Sequence, residues 1–211
     1  GGIEWWEICG GGLYCRESSP IVNNCIFTGN NGNYAGGAIY WESGQVSISN
    51  CLITGNQAEY GGGFTGFSNS SQAFINCDIS SNNAPTGGGL YFQDCNITTI
   101  ANCLVTQNSG MGGILNLFSD TPMTLLDTTV CENEEYQIQG DWTDNGGSTV
   151  EDICPSCTGD ATGDGVIDVN DALYVISSWN TPDPNADFDG DGLVDTDDIL
   201  ILLSQFGVVC E

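Results

Sequence analysis

Of the chain's 211 residues, 28 are acidic and a single one, Arg16, is basic, with no histidine, for a formal charge of −27. That balance excludes nucleic acid as a partner, because binding there rests on Lys and Arg neutralising phosphates, and it disfavours anionic membranes. A 40% hydrophobic content still supplies a packed core, while no apolar run is long enough to insert into a bilayer.

The chain opens Gly1-Gly2-Ile3-Glu4-Trp5-Trp6, with neither Met nor a leader, so a mature or trimmed product is expected. Eleven cysteines point to an oxidising, extracellular or cell-surface setting, and their odd number leaves at least one thiol free or bonded to another chain.

Asn-Cys then recurs at Asn24-Cys25, Asn50-Cys51, Asn76-Cys77 and Asn102-Cys103, 26 residues apart each time. A period of that size marks a solenoid or another repeat array. The neighbours recur in register. Two residues after each Cys stands an apolar residue (Phe27, Ile53, Ile79, Val105), then a small hydroxyl (Thr28, Thr54, Ser80, Thr106), then Asn30, Asn56, Asn82 and Asn108. Glycine clusters follow at 36–37, 61–63, 87–89 and 112–113, with an earlier copy at 10–12, and a degraded turn, 127–133, closes the array.

Apolar residues alternate within a unit, as at Val46, Ile48, Cys51 and Ile53, which is a strand period, and the Gly, Asn, Thr and Ser content disfavours helix. Short strands separated by Asn or Gly corners describe one rung of a parallel β-helix. Both Asn columns are expected at left-handed corners with amides hydrogen-bonding along the axis, and the glycines where a Cβ would clash. Inward cysteines would stack about 4.8 Å apart. Disulfides between rungs are within reach but poorly aimed, so the column reads as reduced and buried.

These repeats resemble right-handed parallel β-helix proteins of the pectin-lyase-like and polymorphic outer-membrane types. The resemblance covers residues 1–142 and implies a mainly β fold, a right-handed parallel β-helix of about five rungs. It does not by itself imply a function, since the fold serves lyases, adhesins and stalks alike.

Residues 143–156 read as a linker. From 157 to 211 a second period appears: Asp160, Thr162, Asp164, Gly165, Asp168 and Asp171 occupy positions 1, 3, 5, 6, 9 and 12 of a loop, and Asp187, Asp189, Asp191, Gly192, Asp195 and Asp198 repeat it 27 residues later. Hard oxygens at that spacing, with the position-7 carbonyls of Val166 and Leu193, fit two Ca²⁺ sites. Each loop leads into a helical stripe, Ala172, Val175, Ile176 and Trp179, then Ile199, Leu202, Leu203 and Phe206, and the two stripes are expected to pack together. Cys157 and Cys210 bracket this module as one disulfide pairing, with Cys154 as the rival partner.

Loop plus exit helix, duplicated, resembles a type I dockerin, which implies calcium and a cohesin-like partner. Thr162 departs from the usual Asp or Asn. Positions 10 and 11, Val169-Asn170 and Thr196-Asp197, match neither each other nor the common Ser-Thr pair.

Catalysis of the lyase kind needs basic residues that this chain lacks beyond Arg16, and the acids Glu42, Glu59, Asp78 and Asp94 show no repeated pairing that would suit a glycosidase. The expected function is a secreted, non-catalytic structural or adhesive protein that self-associates head to tail into a filament through the β-helix ends, with an exposed edge near Trp5, Trp6 and Ile8, and through a calcium-stabilised dockerin-like module. The alternative is a dockerin-anchored component of an extracellular polysaccharide-binding or polysaccharide-degrading complex. Tyr14, Tyr40 and Tyr91 form an outward column suited to sugar stacking or to covering the sheet, and Asn69 and Asn96 lie in glycosylation sequons.

Overall fold

The computed structural model describes residues 9–119, 121–152, 154, 158–163 and 166–207. They fall into two compact units, Gly1–Cys154 and Pro155–Glu211. Trp5, Trp6 and Ile8, which carried the expected open edge, lie outside the described residues, as do Asp164, Gly165, Cys157 and Cys210.

The first unit is a parallel β-solenoid of about five turns. Its widest sheet is built on the long strands Ile39–Ser49 and Phe64–Ile75, which pair in parallel register from Ile39↔Phe64 to Ser49↔Ile75 with a slip between Glu42 and Gly44. A second sheet stacks Ile26–Thr28, Leu52–Thr54, Asp78–Ser80, Leu104–Thr106, Thr129–Cys131 and Thr149–Glu151 in chain order. A narrow third seam joins Asn83–Ala84 to Ser109–Gly110 and continues through the bridges Asn31↔Gln57 and Gln57↔Asn83.

Alternation puts one side of each strand in the lumen. Ile53, Ile79, Val105 and Val130 are fully buried there, and Phe64, Phe74 and Phe92 fill its middle as a cluster with ring centroids 5.0–6.2 Å apart. The corner before each Cys is left-handed, with φ of 54°, 51°, 52° and 49° at Asn24, Asn50, Asn76 and Asn102, and 44° at Asp127. Asn adopts that region more readily than other residues with a Cβ.

The other Asn column differs from the expectation. The left-handed residue is the one before it, Gly29, Gly55, Ser81, Gln107 and Glu132. Its side chains point inward instead, and Asn56, Asn82, Asn108 and Asn133 are buried. Each Oδ1 accepts from both the N–H and the Nδ2 of the Asn one rung back, as Asn82 does from Asn56 at 3.0 and 2.9 Å and Asn108 from Asn82 at 3.0 and 3.1 Å. Nδ2 then donates to a carbonyl across the turn, Asn82 to Ile53 at 2.7 Å and Asn108 to Ile79 at 2.8 Å. At the last step Gln137 Oε1 accepts from Asn133 N and Nδ2, so the ladder is closed by a longer amide. Buried amides demand partners, and one residue type repeated at one position supplies them to its own copies.

The cysteine column serves the same end. Cys25, Cys51, Cys77 and Cys103 are free thiols. Cys103 Sγ accepts from Cys77 N at 3.4 Å, and Thr128 Oγ1 takes over one rung later, accepting from Cys103 N at 3.4 Å and donating to the Ile100 carbonyl at 3.1 Å. Burial pushes the Cys51 thiol up, which keeps it protonated, and does the same to Cys95 outside the column. They act as packing groups.

At Gly62 an added Cβ would lie 2.4 Å from the Gly88 carbonyl oxygen and 2.7 Å from Asn83 backbone atoms, so the cluster glycines are fixed by backbone crowding between rungs. Tyr40 and Tyr91 do face away from the lumen, yet they are buried at 1% and 4% exposure, because the chain segment carrying Tyr34 and Tyr60 lies over them. Only Tyr14 of that column is exposed.

Solenoid pairing does not stop at Trp142. Trp142–Asp144 pairs with Met123–Leu126 and Thr149–Glu151 pairs with Thr129–Cys131, so the stretch expected as linker holds two more strands. Cys154, expected as the rival partner of Cys157 or Cys210, is bonded to Cys131, with Cα atoms 4.9 Å apart. This bond fastens the last strand to the rung before it. Closing a loop of 23 residues, it is expected to contribute about 3 kcal/mol, and thermal unfolding of Cys154→Ser against the parent measures that loss.

Candidate metal centre

The second unit contains two helices, α1 (Val169–Ser177) and α2 (Thr196–Ser204), each entered from an acidic loop. Asp168 and Asp195 cap them, and both starts form a reciprocal capping box with Asp171 and Asp198. The two loops share a set of hydrogen bonds at an offset of 27 residues. Asp160 Oδ1 accepts from Gly163 N at 2.7 Å, and Asp187 Oδ1 from Gly190 N at 2.9 Å. Asp171 Oδ1 accepts from Thr162 N at 3.0 Å, and Asp198 Oδ1 from Asp189 N at 3.3 Å. Asp171 Oδ2 and Asp198 Oδ2 accept from Asp168 N and Asp195 N, each at 2.8 Å.

Asp171 and Asp198 are fully buried, so the loop-closing carboxylates sit at the bottom of each loop rather than in solvent. Burial raises the Asp171 carboxyl, but the N–H groups of Asp168 and Thr162 and the Thr162 hydroxyl outweigh it, and the group lies below the usual carboxylate range. Thr162, where the second loop has Asp189, turns its hydroxyl toward Asp171 Oδ1 at 3.0 Å. The first loop's expected ligand set therefore has one charge fewer.

In the second loop, carboxylate oxygens of Asp187, Asp189 and Asp191 lie within 4.8 Å of one another. Calcium–oxygen bonds of about 2.4 Å span ligand pairs up to about 4.8 Å apart. The Asp191 N–H lowers the Asp189 carboxyl, yet lost hydration and the charges of Asp191, Asp198 and Asp187 prevail and lift it above its ordinary value. Crowded carboxylates that repel one another, all hard oxygen donors, fit a Ca²⁺ ion. Of the expected ligands, the carboxylates of Asp187, Asp189 and Asp191 are brought together in the second loop, the Thr162 hydroxyl lies 3.5 Å from Asp160 Oδ1 and 3.0 Å from Asp171 Oδ1 in the first, and Asp168 and Asp195 accept from the N–H groups of Asn170 and Asp197 at the helix starts. Val166 and Leu193 stand at position 7 of their loops.

A small shared core holds the loops together: Ala161, Ile167, Val175, Ala186, Val194 and Leu202, with Ala172, Phe188 and Ile199 packed against them. The expected stripes thus divide. Ala172, Val175, Ile199 and Leu202 face this core, whereas Ile176, Trp179, Leu203 and Phe206 do not. The helices have nine residues each, and the loop residues Ile167 and Val194 fill the space that a second row would need.

What remains outside is a duplicated apolar face. Leu173 and Leu200 are 59% and 58% exposed, Ile176 and Leu203 56% and 54%, and Trp179 and Phe206 43% and 51%. Members of each pair are 27 residues apart. Leu173 and Leu200 escaped the sequence reading, although their recurrence at the loop period was a visible signal. Contiguous exposed apolar rows of this kind mark interaction surfaces.

In the solenoid the acids weighed for catalysis are dispersed. Glu42 takes Arg16 Nη2 at 3.6 Å and Asp94 Oδ2 takes Gln93 Nε2 at 3.4 Å, while Asp78 Oδ1 is buried without a hydrogen-bond partner. No helix among the described residues is long and apolar enough to cross a membrane.

The family model for a right handed beta helix region matches residues 3–138, and the model for a dockerin type I domain matches residues 158–206. No curated protein and no solved structure matches the chain significantly.

Proposed function

This chain belongs to the right-handed β-helix family and carries a dockerin type I module, and on that premise we propose that it is a non-catalytic component of an extracellular complex, held there by calcium-dependent docking of the module to a cohesin-type partner. Dockerin type I domains bind calcium and cohesins and belong to extracellular or cell-surface assemblies. The observation that carries the reading is the pair of exposed rows, Leu173–Ile176–Trp179 and Leu200–Leu203–Phe206, each following an acidic loop. Two calcium ions, one per loop, would fix the direction in which each helix leaves its loop. The chain's residues do the rest: Asp168 and Asp195 start the helices, and Asp171 and Asp198 tie each helix start back to its loop.

A β-helix is compatible with polysaccharide-degrading chemistry. Against catalysis in this chain stands its one basic residue, half-exposed and shared between Glu17 at 3.7 Å and Glu42 at 3.6 Å. The solenoid is the body that the module positions.

Pull-down on a panel of immobilised cohesins in millimolar calcium tests the proposal. At least one cohesin is expected to retain the chain. Leu173→Asp combined with Leu200→Asp is expected to weaken retention by more than about a hundredfold, since hot-spot apolar residues carry roughly 2 kcal/mol or more each. Failure on every cohesin, or retention of the double variant at parental strength, would overturn it.

A further inference from the structure

A cleft of about 370 Å³ opens on the outer face of the solenoid, lined by Tyr34, Tyr60, Tyr40, Thr65, Phe67 and Tyr91. Its floor is the strand column Tyr40, Thr65 and Tyr91, which are successive partners in the parallel register. Its wall is Tyr34 and Tyr60, with ring centroids 5.2 Å apart, and Tyr60 reaches Tyr91 at 5.6 Å. Tyr34 and Tyr60 thus present rings from two neighbouring turns, while the floor alternates Tyr40, Thr65 and Tyr91, so that its two rings stand two strand intervals apart, about 9.6 Å. A wall that repeats in this way matches a ligand that is itself a chain of rings rather than one isolated small molecule.

Polar groups alternate with the rings. The Tyr91 hydroxyl donates to Gln93 Oε1 at 2.5 Å and the Tyr40 hydroxyl to Glu42 Oε2 at 3.4 Å. Thr65 Oγ1 accepts from Gly36 N and donates to the Tyr60 carbonyl, which holds the wall to the floor. Burial pushes the Tyr40 and Tyr34 hydroxyls up and lifts that of Tyr91 to about 12, so all three stay protonated donors at neutral pH. Tyr34, 38% exposed, presents its ring at the mouth.

Charge decides the ligand class. Arg16, the chain's only basic side chain, is already engaged by Glu42 and Glu17. Among the described residues none that lines the cleft is charged, so a uronate or sulfated chain would find no cation to receive it, whereas a neutral one needs only apolar C–H faces for the rings and hydroxyls for Gln93 and the tyrosines.

We infer that this cleft binds a neutral glycan chain, whose pyranose rings stack on Tyr34 and Tyr60 and whose hydroxyls bond to Gln93 and the cleft tyrosines. The site lies wholly within the solenoid and does not depend on the docking proposal, so loss of cohesin binding leaves it untouched.

Titration calorimetry of the full chain with cello-, xylo-, manno- and chito-oligosaccharides, against oligogalacturonate, tests the inference. At least one neutral oligosaccharide is expected to bind. Tyr34→Ala and Tyr60→Ala should each weaken it about tenfold, while Tyr136→Ala, at an exposed site outside the cleft, binds as the parent does. Should Tyr60→Ala prove unstable in thermal unfolding, Tyr34→Ala at its exposed site decides alone. No binding of any neutral oligosaccharide, oligogalacturonate binding as tightly as the best neutral one, or parental affinity in Tyr34→Ala would overturn the site.

Discussion

Chelation of calcium is expected to unfold the C-terminal module and leave the solenoid intact. Without an ion, Asp187, Asp189 and Asp191 face one another within 4.8 Å, and lost hydration together with that repulsion raises the Asp189 carboxyl. Little stands against it, because the module's buried core amounts to Ala161, Ile167, Val175, Ala186, Val194 and Leu202. A core of that size leaves a small domain dependent on its metal. Calcium at a thousand times its dissociation constant adds about 4 kcal/mol per site, which is of the order of the module's whole stability. Far-UV circular dichroism in excess chelator should lose the helical contribution of α1 and α2 while the strand signal persists, and back-titration should restore it with two ions per chain. Asp187→Ala should lower that stoichiometry to one. Helical signal indifferent to chelator would sink the metal-dependent account of this module.

The second large effect is expected in the solenoid, at the asparagine ladder. Asn82→Ala removes the acceptor of Asn56 N and Nδ2 and the donor to the Ile53 carbonyl, all buried between rungs. Unmet buried groups cost about 1–3 kcal/mol each, so a loss of about 4 kcal/mol is expected in chemical unfolding of the solenoid. Among the described residues, the same change at Asn30 removes only a side-chain donor, because Asn56 Oδ1 keeps the Asn30 backbone N–H. Its cost is expected to stay near 1 kcal/mol. Equal losses at the two positions would mean that the ladder carries no special share of the stability.

The solenoid was legible because its rungs repeat residue types at one spacing. Asn24, Asn50, Asn76 and Asn102 turn the chain as read, and their cysteines line the lumen as free thiols. Asn56 and its partners were misplaced by one residue. A corner glycine already stood beside them at Gly29 and Gly55, and the inward amide leaves no mark in a single sequence other than repetition. Tyr40 and Tyr91 were read as outward, which they are, but their cover comes from the segment around Tyr34 and Tyr60, which meets its neighbours only through isolated bridges and so lacks a strand period. The final strands around Trp142 and Val150 lack the Asn-Cys dipeptide, Gly147-Ser148 standing in its place, and a disulfide such as Cys131–Cys154 follows from spatial approach that spacing does not encode.

In the C-terminal module the spacing of the acidic loops was written in the chain, and the structure brings together the carboxylates of Asp187, Asp189 and Asp191. The exposed apolar rows were half hidden. Helical spacing marks every row that recurs at three or four residues, and only the packing of Ile167 and Val194 decides that Val175 and Leu202 go inside while Leu173, Ile176, Leu200 and Leu203 stay out.

The claim that calcium governs docking is tested most directly by surface plasmon resonance of the full chain over an immobilised cohesin retained from the panel, first in millimolar calcium and then in excess chelator. The account predicts a stable complex that dissociates when calcium is removed and re-forms when it is restored. A complex equally stable with and without calcium would contradict it.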